Sequence, residues 1–342
     1  MRILAIESSC DEFSMAIVED GRNCLVMETL TQIDIHAKFG GVIPELASRE
    51  HAKYFTFVLD KIKTFIENDW AKVDAFAVTI GPGLSGSLLV GIQVAKVLAT
   101  ILNKPLIPVH HILGHLLSPQ LSTEICYPYL SLVVSGGHTE LLYCFDETSC
   151  EILGSTRDDA VGEVYDKVAK KLGLEYPGGP QIDKLAQSGK CTYQFKKPEL
   201  DEKFAFSFSG LKSAVINTIN SANMKKEAIS LPDIAMSFQT IVVEELLGKL
   251  TLALDSYSVA MVGLCGGVSA NQQLRASFVN LQEKYSGVKF VMPELKYCGD
   301  NAAMIGCAAF HVNHINASEI PILECAPNLT LEKFFEEYEM KK

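Results

Sequence analysis

His111-Ile112-Leu113-Gly114-His115 places two imidazoles four residues apart, just after a short apolar run at 106–108. On a helix, positions i and i+4 share one face, so both rings can reach one metal ion. An isolated H-x-x-x-H is more often two ordinary histidines at a core edge. His110 precedes the pair and reads as a helper of it or as a bystander. A third donor is available in Asp300, within Gly299-Asp300-Asn301-Ala302-Ala303. Asp at a helix start also serves as a cap. As a ligand it would complete a two-histidine, one-carboxylate set with open positions. Such a set suits iron or zinc better than magnesium.

A second group of residues suits a phosphate or nucleotide. Ser135-Gly136-Gly137-His138-Thr139 joins two apolar runs, and its amides and hydroxyls can grip phosphate. Gly266-Gly267-Val268-Ser269-Ala270-Asn271 lies between an expected strand and an expected helix, where backbone N–H groups favour anions. Gly178-Gly179-Pro180 precedes an expected helix carrying Asp183. Asp166 and Asp183 read as early-turn helix acids, on the surface or against ribose hydroxyls. Asp11 and Glu12 follow the first strand, where they serve as turn formers, phosphate orienters or a base.

The elements that must carry these groups follow from apolar periodicity. Strands are expected at 3–7, 14–19 and 24–31, a helix at 44–67, a strand at 75–79, a helix at 85–102 and a strand at 106–108. The order then recurs: strands at 129–135, 139–145 and 151–156, helices at 161–172 and 233–254, a strand at 259–264, and helices at 270–285 and 301–312. Two such units imply a duplicated α/β chain with a nucleotide cleft between lobes. The expected lobes are 1–125 and 126–298, with 299–330 packing back on the first. An irregular insertion is expected at about 175–203.

Composition bounds the class. The 342 residues are 48% hydrophobic and 21% charged, which describes a folded globular chain long enough for two domains. The uncharged run 75–95 contains Gly81, Pro82, Gly83, Gly86 and Gly91, so it reads as strand, turn and buried helix rather than a membrane span. A strand starting at Ile3 leaves no room for a leader, and a soluble cytoplasmic protein is expected. The ten cysteines form no Cys-x-x-Cys pair and read as reduced thiols. Cys10, Cys265 and Cys298 read as small core residues before nucleophiles. The net charge of −11 opposes nucleic acid at long range. The stretch 157–212 has ten basic and nine acidic residues, making it the expected footprint of any nucleic acid. Lys167, Lys170, Lys171, Lys196, Lys197 and Lys203 are its candidate contacts.

Taken together, Glu7-Ser8-Ser9-Cys10-Asp11-Glu12, Gly40 to Glu45, Ile80 to Leu84, the paired histidines, Ser135 to Thr139, Asp158-Asp159-Ala160, Gly162-Glu163, Tyr176 to Pro180, Phe206 to Lys212, Gly266 to Asn271 and Asp300 to Ala303 resemble the tRNA N6-adenosine threonylcarbamoyltransferases, the TsaD family. The resemblance runs in order from about residue 3 to 312. It implies a duplicated actin-like, sugar-kinase-like (ASKHA) two-lobed fold. It implies transfer of threonylcarbamoyl from threonylcarbamoyl-AMP to N6 of adenosine 37 in tRNAs reading codons that start with A, with release of AMP. It implies His111, His115 and Asp300 as ligands of one divalent metal, Fe2+ before Zn2+ or Mg2+. Val134, Ser135, Gly136, Gly137, His138, Asp166, Gly179, Asp183 and Asn271 are the implied substrate-binding set. Glu12 or Asp11 is the candidate base. The implied partners are a TsaB-like paralogue and a TsaE-like ATPase, with a homodimer as the other assembly and no membrane.

Four positions depart from the family pattern: Ser8 and Phe13, each where members often have Thr at the first turn, Leu113 where many members have Glu, and Gly299 in place of Thr. They bear on tuning around the site, since no implied ligand changes. Three other readings stand beside this one. A zinc peptidase would want H-E-x-x-H, and Ile112 occupies the Glu position. A small-molecule kinase or ATPase would use the glycine turns and leave the histidines without a task. A nucleotide-dependent scaffold would bind without turnover.

Overall fold

The computed structural model describes residues 1–197 and 200–341, so part of the 175–203 insertion lies outside the described residues. In chain order it opens with strands β1 (Arg2–Glu7), β2 (Glu12–Glu19) and β3 (Asn23–Thr31), a short helix α1 (Ile33–His36) and the long helix α2 (Pro44–Phe65). Strand β4 (Ala75–Gly81), helix α3 (Ser85–Leu102), strand β5 (Leu106–His110) and helix α4 (His111–Leu117) follow. The second sheet begins with β6 (Tyr129–Val134), β7 (Thr139–Asp146) and β8 (Ser149–Ser155). Helices α5 (Val161–Lys171), α6 (Gly178–Ala186), α7 (Ser209–Lys225) and α8 (Leu231–Leu254) come next. Then come β9 (Met261–Cys265), α9 (Gln272–Leu281), β10 (Lys289–Val291), α10 (Ala302–Ala309) and α11 (Leu331–Glu337).

These elements fall into two compact units. The first holds residues 1–125, the β7–β8 turn at 146–149 and the chain from Pro293 onward. Its sheet has the order β3-β2-β1-β4-β5. The second holds 126–145 and 150–292, with the sheet order β10-β9-β6-β7-β8. The two orders are one pattern. The central strand, β1 or β6, pairs antiparallel with its successor and parallel with the fourth strand of its unit. That topological repeat carries the duplication.

Burial explains the order. Strands β1, β4 and β6 are apolar on both faces and are buried almost throughout, as central strands covered by helices must be. Strand β3 is only half-buried and takes the edge. In the first unit α10 packs on β1, β2 and α4. Its sequence, Ala-Ala-Met-Ile-Gly-Cys-Ala-Ala, lets it lie close. A Cβ on Gly306 would stand 2.5 Å from Val18 Cγ2, so only glycine permits this approach. That contact carries the start of α10 towards α4, where the paired histidines sit.

Several expectations are corrected here. The insertion expected to be irregular opens on α6, the helix expected to carry Asp183, and the unforeseen α7 follows it. Expected helix 270–285 starts later, after a 3-10 turn over Gly267–Ala270: α9 is capped by Asn271, whose Oδ1 accepts the Leu274 N–H at 2.9 Å. The all-reduced cysteine reading is overturned by a disulfide between Cys144 and Cys150. The β7–β8 hairpin turns back between them and brings their Cα atoms to 3.9 Å, which no spacing motif announces. The other eight cysteines take no part in a disulfide, and Cys265 and Cys298 are buried. Helix α3 is long and apolar enough to cross a membrane by composition alone, but it packs on α2 and β4.

Candidate metal centre and nucleotide-binding elements

Strand β5 ends at His110, and α4 starts at His111. His110 is the helix N-cap: its Nδ1 accepts the Ile112 N–H at 3.1 Å, and its Nε2 donates to the Leu329 carbonyl at 3.0 Å. It therefore aims the helix. One turn on, the rings of His111 and His115 lie edge to face, 4.7 Å between centroids. Nε2 of His111 is 3.5 Å and Nε2 of His115 is 3.1 Å from the same oxygen, Oδ1 of Asp300. One donor atom from each of the three residues lies within 4.8 Å of the other two. Asp300 is not the cap of α10. That task belongs to Asn301, whose Oδ1 accepts the Met304 N–H at 3.0 Å, so the Asp300 carboxylate is left for the histidines.

Behind the ligand set stands Glu7, at the end of β1 and fully buried. Its Oε2 is 3.1 Å from Nδ1 of His111 and accepts from Thr79 Oγ1 at 2.6 Å, while its Oε1 accepts the Ser9 N–H at 2.5 Å. Ser9 Oγ also reaches His111 Nδ1, at 3.2 Å. Burial acts to lower the His111 pKa, but the carboxylates of Asp300 and Glu7 outweigh it and push the imidazole up to about 9. A cation is what two acidic groups around this ring demand, as a proton or as a metal. Among the described residues Nδ1 of His115 is buried without a hydrogen-bond partner. Two imidazoles and a carboxylate, converging and partly desolvated, fit a divalent metal with positions left open.

Asp11 and Glu12 sit where β2 begins. Asp11 is buried, and its Oδ2 has no partner among the described residues. Burial pushes the Glu12 carboxyl well above the usual carboxylate range, and the charges of Asp11 and Asp300 add to this. Burial likewise raises the Cys10 thiol, with Asp11 next in effect, which keeps it protonated and unreactive.

The second unit gathers the other set. Ser135 N donates to the His138 carbonyl at 2.8 Å and Ser135 Oγ accepts the His138 N–H at 3.1 Å, closing a tight turn with Gly136 and Gly137 exposed at its tip. The start of α5 abuts this turn through Gly162 N–H to Ser135 O at 3.3 Å. Val134 is buried against Gly266, whose φ of 88° and closeness (an added Cβ would be 2.3 Å from Val134 O) admit only glycine. Asp183 and Asn271 join through Gln239: Gln239 Nε2 donates to Asp183 Oδ1 at 3.0 Å, and Asn271 Nδ2 donates to Gln239 Oε1 at 2.7 Å. Asp166 Oδ1 accepts the Gly178 N–H at 2.7 Å and so anchors the first turn of α6, where Gly179 lies.

Neither Asp166 nor Asp183 is on an early turn, as expected above. Both are mid-helix, and Asp183 is buried. Of the candidate lysines, Lys167 pairs with Asp159 and Glu163, Lys197 with Glu244, and Lys203 donates to Ser256 Oγ. Sequence reasoning passed over Gln239 and quoted Glu7 only within a motif, with no role. Glu7 ends an otherwise apolar strand, and a charge at so buried a position was the available signal.

The repeated five-stranded units define a duplicated actin-like fold. Solved structures bear this out at the level of fold: an activator of 2-hydroxyisocaproyl-CoA dehydratase from Clostridium difficile aligns with a TM-score of 0.52 at 12% identity, over 91% of this chain and 94% of that one. HypF from T. kodakarensis aligns with a TM-score of 0.62 at 16% identity, over 90% of this chain and 47% of its own. Within that class, the family model described as tRNA N6-adenosine threonylcarbamoyltransferase, TsaD, matches residues 23–307. Enzymes of that name are 50% identical in Staphylococcus saprophyticus (91% of each chain) and 46% identical in Staphylococcus carnosus (98% of each chain). The chain belongs to the tRNA N6-adenosine threonylcarbamoyltransferase family. Its activity is accordingly that of a threonylcarbamoyltransferase acting on tRNA adenosine.

Proposed function

We propose that the chain takes threonylcarbamoyl from threonylcarbamoyl-AMP and joins it to N6 of adenosine 37, in tRNAs reading codons that begin with A, releasing AMP. The observation that carries this reading is the convergence of His111, His115 and Asp300 in a chain of this family. These three residues would hold one divalent metal, with Fe2+ favoured over Zn2+ or Mg2+ by the donor set. When bound, the metal supplies Lewis-acid polarisation and charge neutralisation, worth several kcal/mol at the transition state.

The chain's own groups supply the rest. The exposed amides at Gly136 and Gly137, with Ser135 and His138, would grip the adenylate phosphate. Val134, Asp166, Gly179, Asp183 and Asn271 would shape and line the nucleoside position. The N6–carbamoyl bond forms as the carbamoyl–phosphate anhydride bond breaks. The N6 proton goes to a base, and the electron pair leaves with the phosphate of AMP. Glu12, at the start of β2, would take that proton, with Asp11 beside it as the other candidate.

We further assign a TsaB-like paralogue and a TsaE-like ATPase as partners in a cytoplasmic assembly, with a homodimer as the alternative. What supports a protein partner is an apolar groove between α2 and α3, lined by Phe55, Leu59, Leu89, Val94 and Val97. The test is labelled threonine and unmodified tRNA, with ATP, bicarbonate, an adenylate synthase and the candidate partners. Label in tRNA that vanishes with His111→Ala/His115→Ala supports the reading. ATP consumption without label under any combination overturns it in favour of a kinase or ATPase.

A further inference from the structure

Three polar side chains, Gln32, His36 and His51, are fully buried in the first unit and belong to neither set above. They form one chain of hydrogen bonds whose proton positions can be worked out. His51 Nε2 lies 2.9 Å from the Cys10 carbonyl, and a carbonyl only accepts, so Nε2 carries the hydrogen. In a neutral imidazole Nδ1 is then an acceptor, and it receives Gln32 Nε2–H at 2.9 Å. The second Gln32 N–H goes to the Ala47 carbonyl at 3.1 Å. Gln32 Oε1 accepts from His36 Nε2 at 3.0 Å, and His36 Nδ1 accepts the Ile43 N–H at 3.2 Å. A single pattern, both histidines as Nε2–H tautomers, satisfies every ring nitrogen and both ends of the amide.

The far end of this chain is the turn bearing the candidate base. Besides the Cys10 carbonyl, the next carbonyl, Asp11 O, accepts the Gln32 backbone N–H at 3.2 Å. Two consecutive peptide units just before Glu12 are thus held by Gln32 and His51. Burial holds His51 below its ordinary range and His36 adds to this, against the pull of the Cys10 carbonyl, Glu7 and Asp11. A proton on Nδ1 would face the Gln32 amide donors and break the pattern.

We propose that Gln32, His36 and His51 are positioning residues that fix the Cys10–Asp11–Glu12 turn and so set where Glu12 stands for the transfer step. They touch neither metal nor substrate. The proposal rests on the reading of Glu12 as the base. A base displaced by about 1 Å can cost about 10²-fold in rate, so the expected effect lies in kcat.

The test compares His51→Phe with His51→Gln in the metal-loaded full chain with its partners. Phe keeps a planar ring, slightly larger, and loses both hydrogen bonds. Gln can donate to the Cys10 carbonyl and accept from Gln32. The expected result is a kcat for His51→Phe lower by about 10²-fold, with KM for tRNA and metal content unchanged, and recovery of most of that loss in His51→Gln. Wild-type kcat in His51→Phe, equal losses in both variants, or loss of metal would each overturn it. Nitrogen-15 shifts of the imidazoles at pH 8 read the same relay without turnover and without a variant. Two Nε2–H tautomers are expected, and an Nδ1–H tautomer at either ring would overturn the relay. If the wild type transfers nothing, the transferase reading fails while the imidazole shifts still decide the relay.

Discussion

Oε2 of Glu7 stands 3.1 Å from Nδ1 of His111, while Nε2 of the same ring faces Asp300 at 3.5 Å. The carboxylate fixes which nitrogen carries hydrogen and leaves the other as the donor atom. Glu7→Gln should therefore weaken metal affinity by about 10–100-fold, the usual cost of losing such a partner. Competition with a chelator of known affinity measures this. Unchanged affinity with an intact fold would remove Glu7 from the site.

Asp300→Asn and His115→Ala should each take the purified protein from one bound metal to almost none, by elemental analysis. Asn301, next door, should not: Asn301→Ala removes the cap of α10 and costs about 1 kcal/mol of stability. The pair of measurements separates ligation from helix capping at adjacent positions.

Glu12→Gln should lower single-turnover transfer by about 10²–10⁴-fold and leave tRNA binding intact. A loss of that size in Asp11→Asn, with Glu12→Gln active, would reassign the base.

The apolar groove of α2 and α3 is lined by Val97, which is 53% exposed. Val97→Glu places a charge there and should weaken association with a TsaB-like partner by more than about tenfold, since an interface charge left unpaired costs over 1.4 kcal/mol. Sedimentation velocity with and without the partner reads the change, and metal content should stay at the wild-type level. Unaltered association would place the partner elsewhere.

Asp158 accepts hydrogen bonds from Phe208 N, Ser209 N and the hydroxyls of Ser207 and Ser209, capping α7 from across the unit. Burial opposes its charge, but these bonds hold the carboxyl below the ordinary value of 3.8. A lowered folded-state pKa means the stabilisation is present above 3.8 and is lost as pH falls through the folded value. Asp158→Ala should cost about 1–2 kcal/mol near neutrality, and the gap from wild type should close in acid. Urea midpoints from pH 7 to 3 test both claims.

Much of this was legible. The glycine turn in the uncharged run gave α3 its start at Ser85, because burial and turn chemistry act on the same residues. Strands β1 to β3 followed from apolar patterning. Helix α7 did not, because Ser209, Lys212, Asn217, Asn220 and Asn223 break up its apolar stripe. The candidate ligands could be named from motif resemblance, but spacing alone could not choose Asn301 over Asp300 as cap. Only side-chain direction makes that choice. Gln32, His36 and His51 show no period at all, since hydrogen bonding between elements leaves no mark on local sequence.

The two histidines and Asp300 are separated in sequence by the whole second unit, residues 126–145 and 150–292. A growing polypeptide therefore exposes the first two donors long before the third is made. On the ribosome, sheet β3-β2-β1-β4-β5 can assemble while lacking α10 and the carboxylate before it. Capture of an ion by all three donors would have to wait for nearly all of translation. A nascent or prematurely terminated chain ending before residue 300 would keep the histidine pair but could not complete the set, so tight metal loading reports that synthesis has passed that point.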